Sequence, residues 1–575
     1  MAATTKRIRG LLPGPRALNW ADVVVFLSLV GLLAGVGWLG HSLWAPFTPE
    51  VRPRIELSPW NLPYYAARSL LRMFVALAAS LVFTLVVASW AAKSARAARL
   101  ILPALDILQS VPVLGFLSAT VTFFVALVPG HILGLELASI FAIFTSQVWN
   151  MTFAYYQALV TLPREQSEAL RLYRVPAWQR FTHFELPAGT IPLIWNGMMS
   201  FGGSWFFLAA SEAITVLNQE LLLPGVGSFM ALAVKAADVR ALGWAVLTMI
   251  ALILLVDVVF WRPLVAWAEK FKVEESAAAD VPTSPVLELL RRSHLLPWLE
   301  ARLARLDESL ARVLRRLAPV GPERQGWRAW DVALSAALWT VLGLLVLRGI
   351  GFLVTEITAR ELIRVVGLGL LTMLRVVAVV ALAALAWTPI GTWIGMNPRV
   401  ARYAQPVVQV LASFPANFLF PVFTVLFVRF GLSLQWGGAL LMALGAQWYI
   451  LFNTIAGAMA IPNDLREMTQ DLDVRGVVRW RALILPAIFP AWVTGALTAA
   501  GGAWNASIVA EVVTWGDKTL TASGLGAYIA AATTTGDWPR IVLGVAVMSA
   551  FVVVLNRLVW RPLQRLAAAR YSLAA

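Results

Sequence analysis

The stretch Glu168-Ala-Leu-Arg-Leu-Tyr-Arg-Val-Pro-Ala-Trp-Gln-Arg-Phe-Thr-His-Phe-Glu-Leu186-Pro187 returns 299 positions later as Glu467-Met-Thr-Gln-Asp-Leu-Asp-Val-Arg-Gly-Val-Val-Arg-Trp-Arg-Ala-Leu-Ile-Leu485-Pro486. In each copy a Glu stands nineteen residues before the proline of a Leu-Pro pair. A charged segment too polar to span, set twice among long apolar runs, reads as two docking points for a soluble partner at one face of a membrane.

The surrounding chain supports that setting. Its 575 residues are 59% hydrophobic and only 13% charged, with a mean hydropathy of +0.75, too apolar for an ordinary soluble fold. Apolar runs of about 20 residues, the length that crosses a hydrocarbon core of about 30 Å, lie near 21–45, 66–92, 103–128, 132–160, 188–217 and 241–261. A second series lies near 330–355, 362–390, 403–428, 437–460, 487–514 and 540–560. The sequence thus predicts an all-α polytopic membrane protein of about 12 transmembrane helices, six per half. The first run follows Lys6, Arg7, Arg9 and Arg16 but is long and has no small-residue cleavage site, so it reads as a retained anchor.

With both termini cytoplasmic, 33 of the 46 Lys and Arg residues fall in cytoplasmic segments, as the positive-inside rule requires. The net charge of +15 is therefore spread along one membrane face, where anionic lipid headgroups and not nucleic acid are the counterpart. There is no Cys, hence no disulfide or thiolate metal site, and His41, His131, His183 and His294 lack metal-ligand spacing.

The offset of 299 holds without a gap from Trp149/Trp448 through Pro163/Pro462, Gly202-Gly203/Gly501-Gly502, Trp205/Trp504, Glu212/Glu511, Gly225/Gly524 and Gly227/Gly526 to Trp261-Arg-Pro-Leu264/Trp560-Arg-Pro-Leu563. Upstream it becomes 303, giving Arg72/Arg375, Pro103/Pro406 and Pro112/Pro415. The chain is a tandem duplication, and an even number of spans per unit makes the two six-helix repeats parallel. Its expected domains are 1–264, the first repeat with its anchor helix; 265–328, a cytoplasmic linker; and 329–575, the second repeat. Within the linker, leucines recur at helical spacing over 286–318 with arginines between, a basic amphipathic helix that suits a membrane surface, a partner or a plain tether.

These residues resemble a known pattern. The Glu-Ala loop ending in Leu-Pro is similar to the coupling loop of permeases of ATP-binding-cassette importers, and the variant resembles the nitrate, sulfonate, taurine and bicarbonate permeases in a duplicated, fused form. Gly202-Gly-Ser-Trp205 to Glu212, its copy Gly501-Gly-Ala-Trp504 to Glu511, and the Gly-x-Gly pairs beyond them carry the likeness over nearly the whole chain except the linker. The resemblance implies the type I importer permease fold in a bacterial inner membrane. It also implies two copies of a partner ATPase, which hold the ATP and Mg, and an extracytoplasmic solute-binding protein. The coupling residues it implies are Glu168, Ala169, Arg174, Leu186 and Pro187, with Glu467, Asp473, Leu485 and Pro486. Arg174 and Asp473 depart from the pattern, which has Gly there. Independently of the family, each Glu is expected near the start of a short helix, where a carboxylate favours the positive end, and each Leu-Pro at the entry of the next span.

Arg72 and Arg375 fall within spans, where a charge is costly unless paired or hydrated. Glu212 and Glu511 are expected at a similar depth, so each Arg either pairs with a Glu or lends positive potential to an anion path. Ser110 and Ser413, two residues before Pro112 and Pro415, either belong to ordinary kinks or offer polar groups to substrate. Trp205 and Trp504 line a cavity or merely pack, and the paired glycines suit close helix packing.

No Gly is followed by Lys, so the phosphate-binding GxxxxGK[ST] loop is absent and this chain does not hydrolyse ATP. The reading is a non-catalytic permease that passes a small, anionic solute by alternating access. The rival is a twelve-helix secondary transporter, which does not need a charged loop between the fourth and fifth spans of both halves.

Overall fold

A computed structural model describes residues 19–41, 44, 46, 54–173, 175–216, 219–271, 284–317 and 328–571. In the first repeat, helices run as α1 Trp20–His41, α2 Leu62–Lys93, α3 Ala95–Ser110, α4 Leu117–Leu127, α5 Leu133–Val160, α6 Arg164–Leu172, α7 Ala177–Arg180 and α8 Leu186–Glu212. A hairpin of β1 Ala213–Val216 and β2 Gln219–Leu222 precedes α9 Val226–Lys235, α10 Val239–Val256 and α11 Arg262–Ala268. The linker holds α12 Pro285–Arg292 and α13 Leu295–Leu317. The second repeat follows as α14 Arg328–Glu356, α15 Ala359–Met396, α16 Pro398–Ser413, α17 Phe420–Phe430, α18 Leu434–Met459, α19 Asn463–Asp471, α20 Gly476–Arg479 and α21 Leu485–Ala510. It ends with β3 Val512–Trp515, β4 Lys518–Thr521, α22 Leu525–Thr535, α23 Trp538–Leu555 and α24 Arg561–Arg570.

The element order repeats as expected. Among the described residues nine helices are long and apolar enough to cross a membrane, and eleven if two bent pairs count as one span each. The twelfth expected span, at 188–217, is α8. It has 27 residues, but its glycines, serines and Asn196 dilute the apolar run. Its expected end is also no helix, since Ala213 opens a hairpin. Two short hairpins thus stand in a fold predicted as all helix.

The spans expected at 103–128 and 403–428 are bent by 83° and 75°. Each break lies at a proline, Pro112 or Pro415, and the residue before it, Val111 or Phe414, is extended with ψ of 120° or 125°. Proline clashes with a preceding residue in the helical region and has no N–H to continue the ladder, so the chain turns there.

Four wide π-helical turns mark the same places in both repeats: Phe181–Glu185, Asp257–Trp261, Trp480–Ile484 and Asn556–Trp560. Each ends two residues before a proline, namely Pro187, Pro263, Pro486 and Pro562. The Leu186 N–H accordingly reaches the Phe181 carbonyl, five residues back, and Leu485 reaches Trp480. A proline ring collides with the carbonyl four residues earlier, and one widened turn absorbs the collision without ending the helix. The Leu-Pro pairs stand at the starts of α8 and α21, as the sequence suggested, but each α-helix is entered through a π turn without a break.

The described residues fall into two compact units. One takes its residues from Met1–Ser42, Leu162–Ile194 and Leu255–Glu323, and in it α12 packs on α1 and α11, and α13 on α1 and α7. The other takes Leu43–Thr161, Trp195–Leu254 and Arg324–Ala575. Its core centres on α18, which packs on α15 and α21 through residues such as Ala446, Ile450, Ala496 and Ala503, all fully buried. Small residues let helix backbones close in where lipid offers no hydrophobic drive. A Cβ on Gly495 of α21 would stand 2.9 Å from the Tyr449 carbonyl oxygen.

Candidate functional site

Two clusters of paired charges, related by the repeat, lie inside the spans. In the first, the Arg72 guanidinium on α2 is buried and fully engaged. Its Nε donates to Glu136 Oε2 at 2.5 Å, its Nη2 to Glu136 Oε1 at 2.7 Å and to the Pro224 carbonyl at 2.9 Å, and its Nη1 to Glu212 Oε1 at 2.6 Å. Arg68, one helical turn earlier, also pairs with Glu136. Two arginines thus face two glutamates, all at most 1% exposed. A buried charge is tolerated only when paired and hydrogen-bonded.

Glu212 is also tied to backbone. Its carboxylate accepts from Ser69 Oγ at 2.6 Å and from the Gly227 N–H at 2.7 Å, and Ser69 in turn accepts from the Val226 N–H at 3.1 Å. The hairpin explains how this happens. It carries the chain out from the end of α8 and back, with the Leu223 N–H on the Glu212 carbonyl, so that the start of α9 points its free N–H groups at the carboxylate. Gly225 is required by contact, because a Cβ there would collide with the Glu212 carboxylate.

The second repeat builds the same frame with fewer charges. Arg375 Nη1 donates to Glu511 Oε1 at 2.8 Å, Thr372 Oγ1 donates to the same oxygen at 2.8 Å, and the Ala527 N–H reaches Oε2 at 3.1 Å. The Leu525 N–H donates to Thr372 Oγ1 at 2.9 Å, and a Cβ on Gly524 would collide with Glu511. Here Gln435 takes the place of Glu136, accepting from Arg375 Nη2 at 2.8 Å through its side chain and from Nε at 3.2 Å through its carbonyl. Leu371 stands where Arg68 stands. One cation and one anion have been removed together, leaving each cluster neutral. Arg68, Ser69, Glu136, Thr372 and Gln435 escaped the sequence reading, although Arg68 and Arg72 lie one turn apart on one span.

The segments expected to couple each hold two short helices, α6 and α7 in the first repeat and α19 and α20 in the second. Glu168 and Glu467 are exposed and sit at the middle of α6 and α19, not at their starts as expected; Glu165 and Asp464 occupy the first turns. Ala169 is exposed, and its carbonyl accepts from the Tyr173 N–H at 2.9 Å. Asp473 adopts φ of 50°, the left-handed conformation that glycine takes freely and Asp takes more readily than most residues. Its carboxylate pairs with Arg475. Arg174, the corresponding residue, lies outside the described residues. Leu186 and Pro187 are partly buried beyond the first π turn, whereas Leu485 is exposed beside a partly buried Pro486.

Both segments expose large apolar side chains. Leu172 and Tyr173 are 80% and 79% exposed in the first, and Leu472 and Val477 are 67% and 68% exposed in the second. Arg466 caps the end of α18 by donating to the Ala458 carbonyl at 2.6 Å. Burial, followed by repulsion from Arg479, lowers its pKa from the ordinary arginine value.

A cavity of about 220 Å³ lies where residues of the two repeats meet, among Gln109, Ser146, Trp149, Asn150, Phe207, Tyr449, Trp504, Asn505 and Asn556. Among the described residues no charged side chain lines it. Trp504 borders it while stacked on Phe551, and Trp205, equally buried, packs on Phe201 with ring centroids 5.7 Å apart. Ser413 borders a smaller recess with Tyr449 and Gly202, where a Cβ on Gly202 would stand 2.6 Å from Ser413 Oγ. Ser110 ends α3, and its side chain lies outside the described residues. Arg72, Glu212 and Glu511 are not part of the cavity wall, and Arg375 faces a separate apolar groove of α15 and α18.

The pattern of the family described as "binding-protein-dependent transport system inner membrane component" is matched at residues 80–262 and again at 387–569. The nitrate import permease protein of Leptolyngbya laminosa is 27% identical over 178 residues, 31% of this chain and 60% of the relative. The bicarbonate transport system permease protein of Synechococcus elongatus is 27% identical over 188 residues, 33% and 64% of the two chains. The putative aliphatic sulfonates transport permease protein of Bacillus subtilis is 27% identical over 259 residues, 42% of this chain and 90% of the relative. The chain thus spans less than two thirds of the length of the first two relatives and nearly all of the third.

Proposed function

Because this chain belongs to the family of binding-protein-dependent transport system inner membrane components, as a duplicated permease of ATP-binding-cassette type, we propose that it forms by itself the whole membrane path of an importer. Separate ATPase subunits supply the energy, one engaging each coupling segment and holding the ATP and Mg. An extracytoplasmic binding protein delivers the solute, and both chain termini are cytoplasmic. The observation that carries this reading is the pair of exposed apolar side chains in each coupling segment, which in a polar loop marks a partner surface. Each segment continues through a π turn into the next long helix.

The solute is a small oxyanion, the chemistry shared by the nitrate, bicarbonate and sulfonate named for the relatives. The cavity supports this choice through its amide, hydroxyl and indole groups, which can bind an oxyanion without a fixed charge that would trap it. A transport site must bind well enough to admit its solute and weakly enough to release it. Family membership sets aside the secondary transporter.

The test is copurification with the cognate ATPase from membranes, with ATP hydrolysis in liposomes as the readout. Glu168→Lys together with Glu467→Lys is expected to abolish both association and stimulated hydrolysis while the permease stays folded. Unchanged association in that double variant would overturn the assignment.

A further inference from the structure

The import path leaves the linker helix α13 unused, yet α13 is tied at two points and bears an exposed apolar stripe. The first tie is at its start. Asp22 in the first turn of α1 accepts from Ser293 Oγ at 2.9 Å and from the His294 N–H at 2.6 Å, and its other oxygen lies 3.0 Å from His294 Nδ1. Helix α1 is a span by length and composition, with only 6% of its apolar window buried in protein. The junction before α13 is therefore pinned at the level where α1 enters the lipid.

The second tie is midway. Asp307 accepts from Trp178 Nε1 of the first coupling segment at 2.7 Å and faces His183 Nε2 at 3.8 Å. On a helix of 3.6 residues per turn, Trp298, Leu306, Leu310 and Val313 share one face, roughly 120° wide, and Asp307 lies off it. Those four side chains are 57%, 59%, 48% and 52% exposed. Arg302, whose guanidinium sits 5.2 Å over the Trp298 ring, lies within that face, and Arg305 and Arg312 border one edge of it.

We infer that α13 lies in the membrane–water interface, its Trp-Leu-Leu-Val stripe in the acyl boundary and its arginines on anionic lipid headgroups, and so tethers the first coupling segment to the lipid surface. Three features select lipid as the occupant: the pin at the foot of a lipid-facing span, the arginines within and beside the stripe, and a Trp at its end, as interfacial helices carry. The inference rests on α1 crossing the membrane and not on the solute or the ATPase. It applies to one coupling segment, because Val477 and Ala482 occupy the positions of Trp178 and His183 in the second.

The chain has no Cys, so single-cysteine probes report without background. Leu310→Cys, Val313→Cys and, as a control off the stripe, Glu308→Cys are labelled with an environment-sensitive fluorophore in the full-length chain. The protein is reconstituted in phosphatidylcholine–phosphatidylglycerol vesicles. Labels at 310 and 313 are expected to lose most of their emission to nitroxide on lipid chains and to be shielded from aqueous iodide, with the reverse at 308. Arg302→Gln with Arg305→Gln and Arg312→Gln, or omission of phosphatidylglycerol, is expected to reduce the nitroxide quenching. Iodide quenching without nitroxide quenching at both stripe positions overturns the inference, and so does shielding that appears only once ATPase is added, which makes the stripe a protein-docking surface.

Discussion

Arg68 and Glu136 bring opposite charges into a span-lined core at positions where the other repeat has Leu371 and Gln435. Removing one partner of a buried ion pair costs about 3–5 kcal/mol, whereas replacing both with fitting neutral groups is often nearly free. Arg68→Leu and Glu136→Gln are therefore each expected to lower thermal stability by about that amount, and the double variant to recover most of it. Melting curves of the purified chain decide the matter; additive losses would show that the two residues are not a unit. Asp473 offers a second residue-scale expectation. At φ of 50°, Asp473→Gly is expected to be neutral or to stabilise by about 0.5–1 kcal/mol, and Asp473→Val to destabilise, read in the same melts. Arg72, Arg375, Glu212 and Glu511 could be picked out from sequence because each has a counterpart at the repeat offset. Arg68 and Glu136 could not, because that same comparison returns Leu and Gln, and a lone Glu near a span start looks like a helix-end residue.

At the scale of elements, the four π turns are a device that proline imposes and both repeats retain. Changing Pro187 or Pro486 to Ala removes the ring clash, allows the turn to tighten by one residue, and would rotate the coupling helix about 100° against its span. Transport in proteoliposomes is expected to fall steeply in Pro187→Ala and Pro486→Ala with little loss of folded protein, and full transport in both would show that the wide turn has no mechanical part. The bends at Pro112 and Pro415 were legible as breaks, but their angles were not, since proline fixes where the ladder fails and packing fixes where the chain goes. The hairpins were hidden for a different reason. Ala213-Ile-Thr-Val216 is apolar and directly follows a span, so composition merges strand and helix into one run.

For the whole molecule, duplication followed by divergence leaves two related but unequal sites at every level seen here: four charges against two, Trp504 stacked on Phe551 against Trp205 packed on Phe201, and Trp178 against Val477 in the coupling segments. Glu168→Lys and Glu467→Lys as single variants are expected to differ in residual ATPase stimulation, and equal effects would mean that the divergence of the two segments is neutral. A stricter test transplants the first cluster into the second: Leu371→Arg or Gln435→Glu alone is expected to destabilise, and the two together to restore a folded chain. A symmetric homodimer could not reach this arrangement, because any change that suits one side of its axis is enforced on the other. Joining the halves in one polypeptide lifts that constraint, so one arginine cluster can remain a rigid abutment while the other, with Arg375 still 12% exposed, becomes a softer seat that yields first under load.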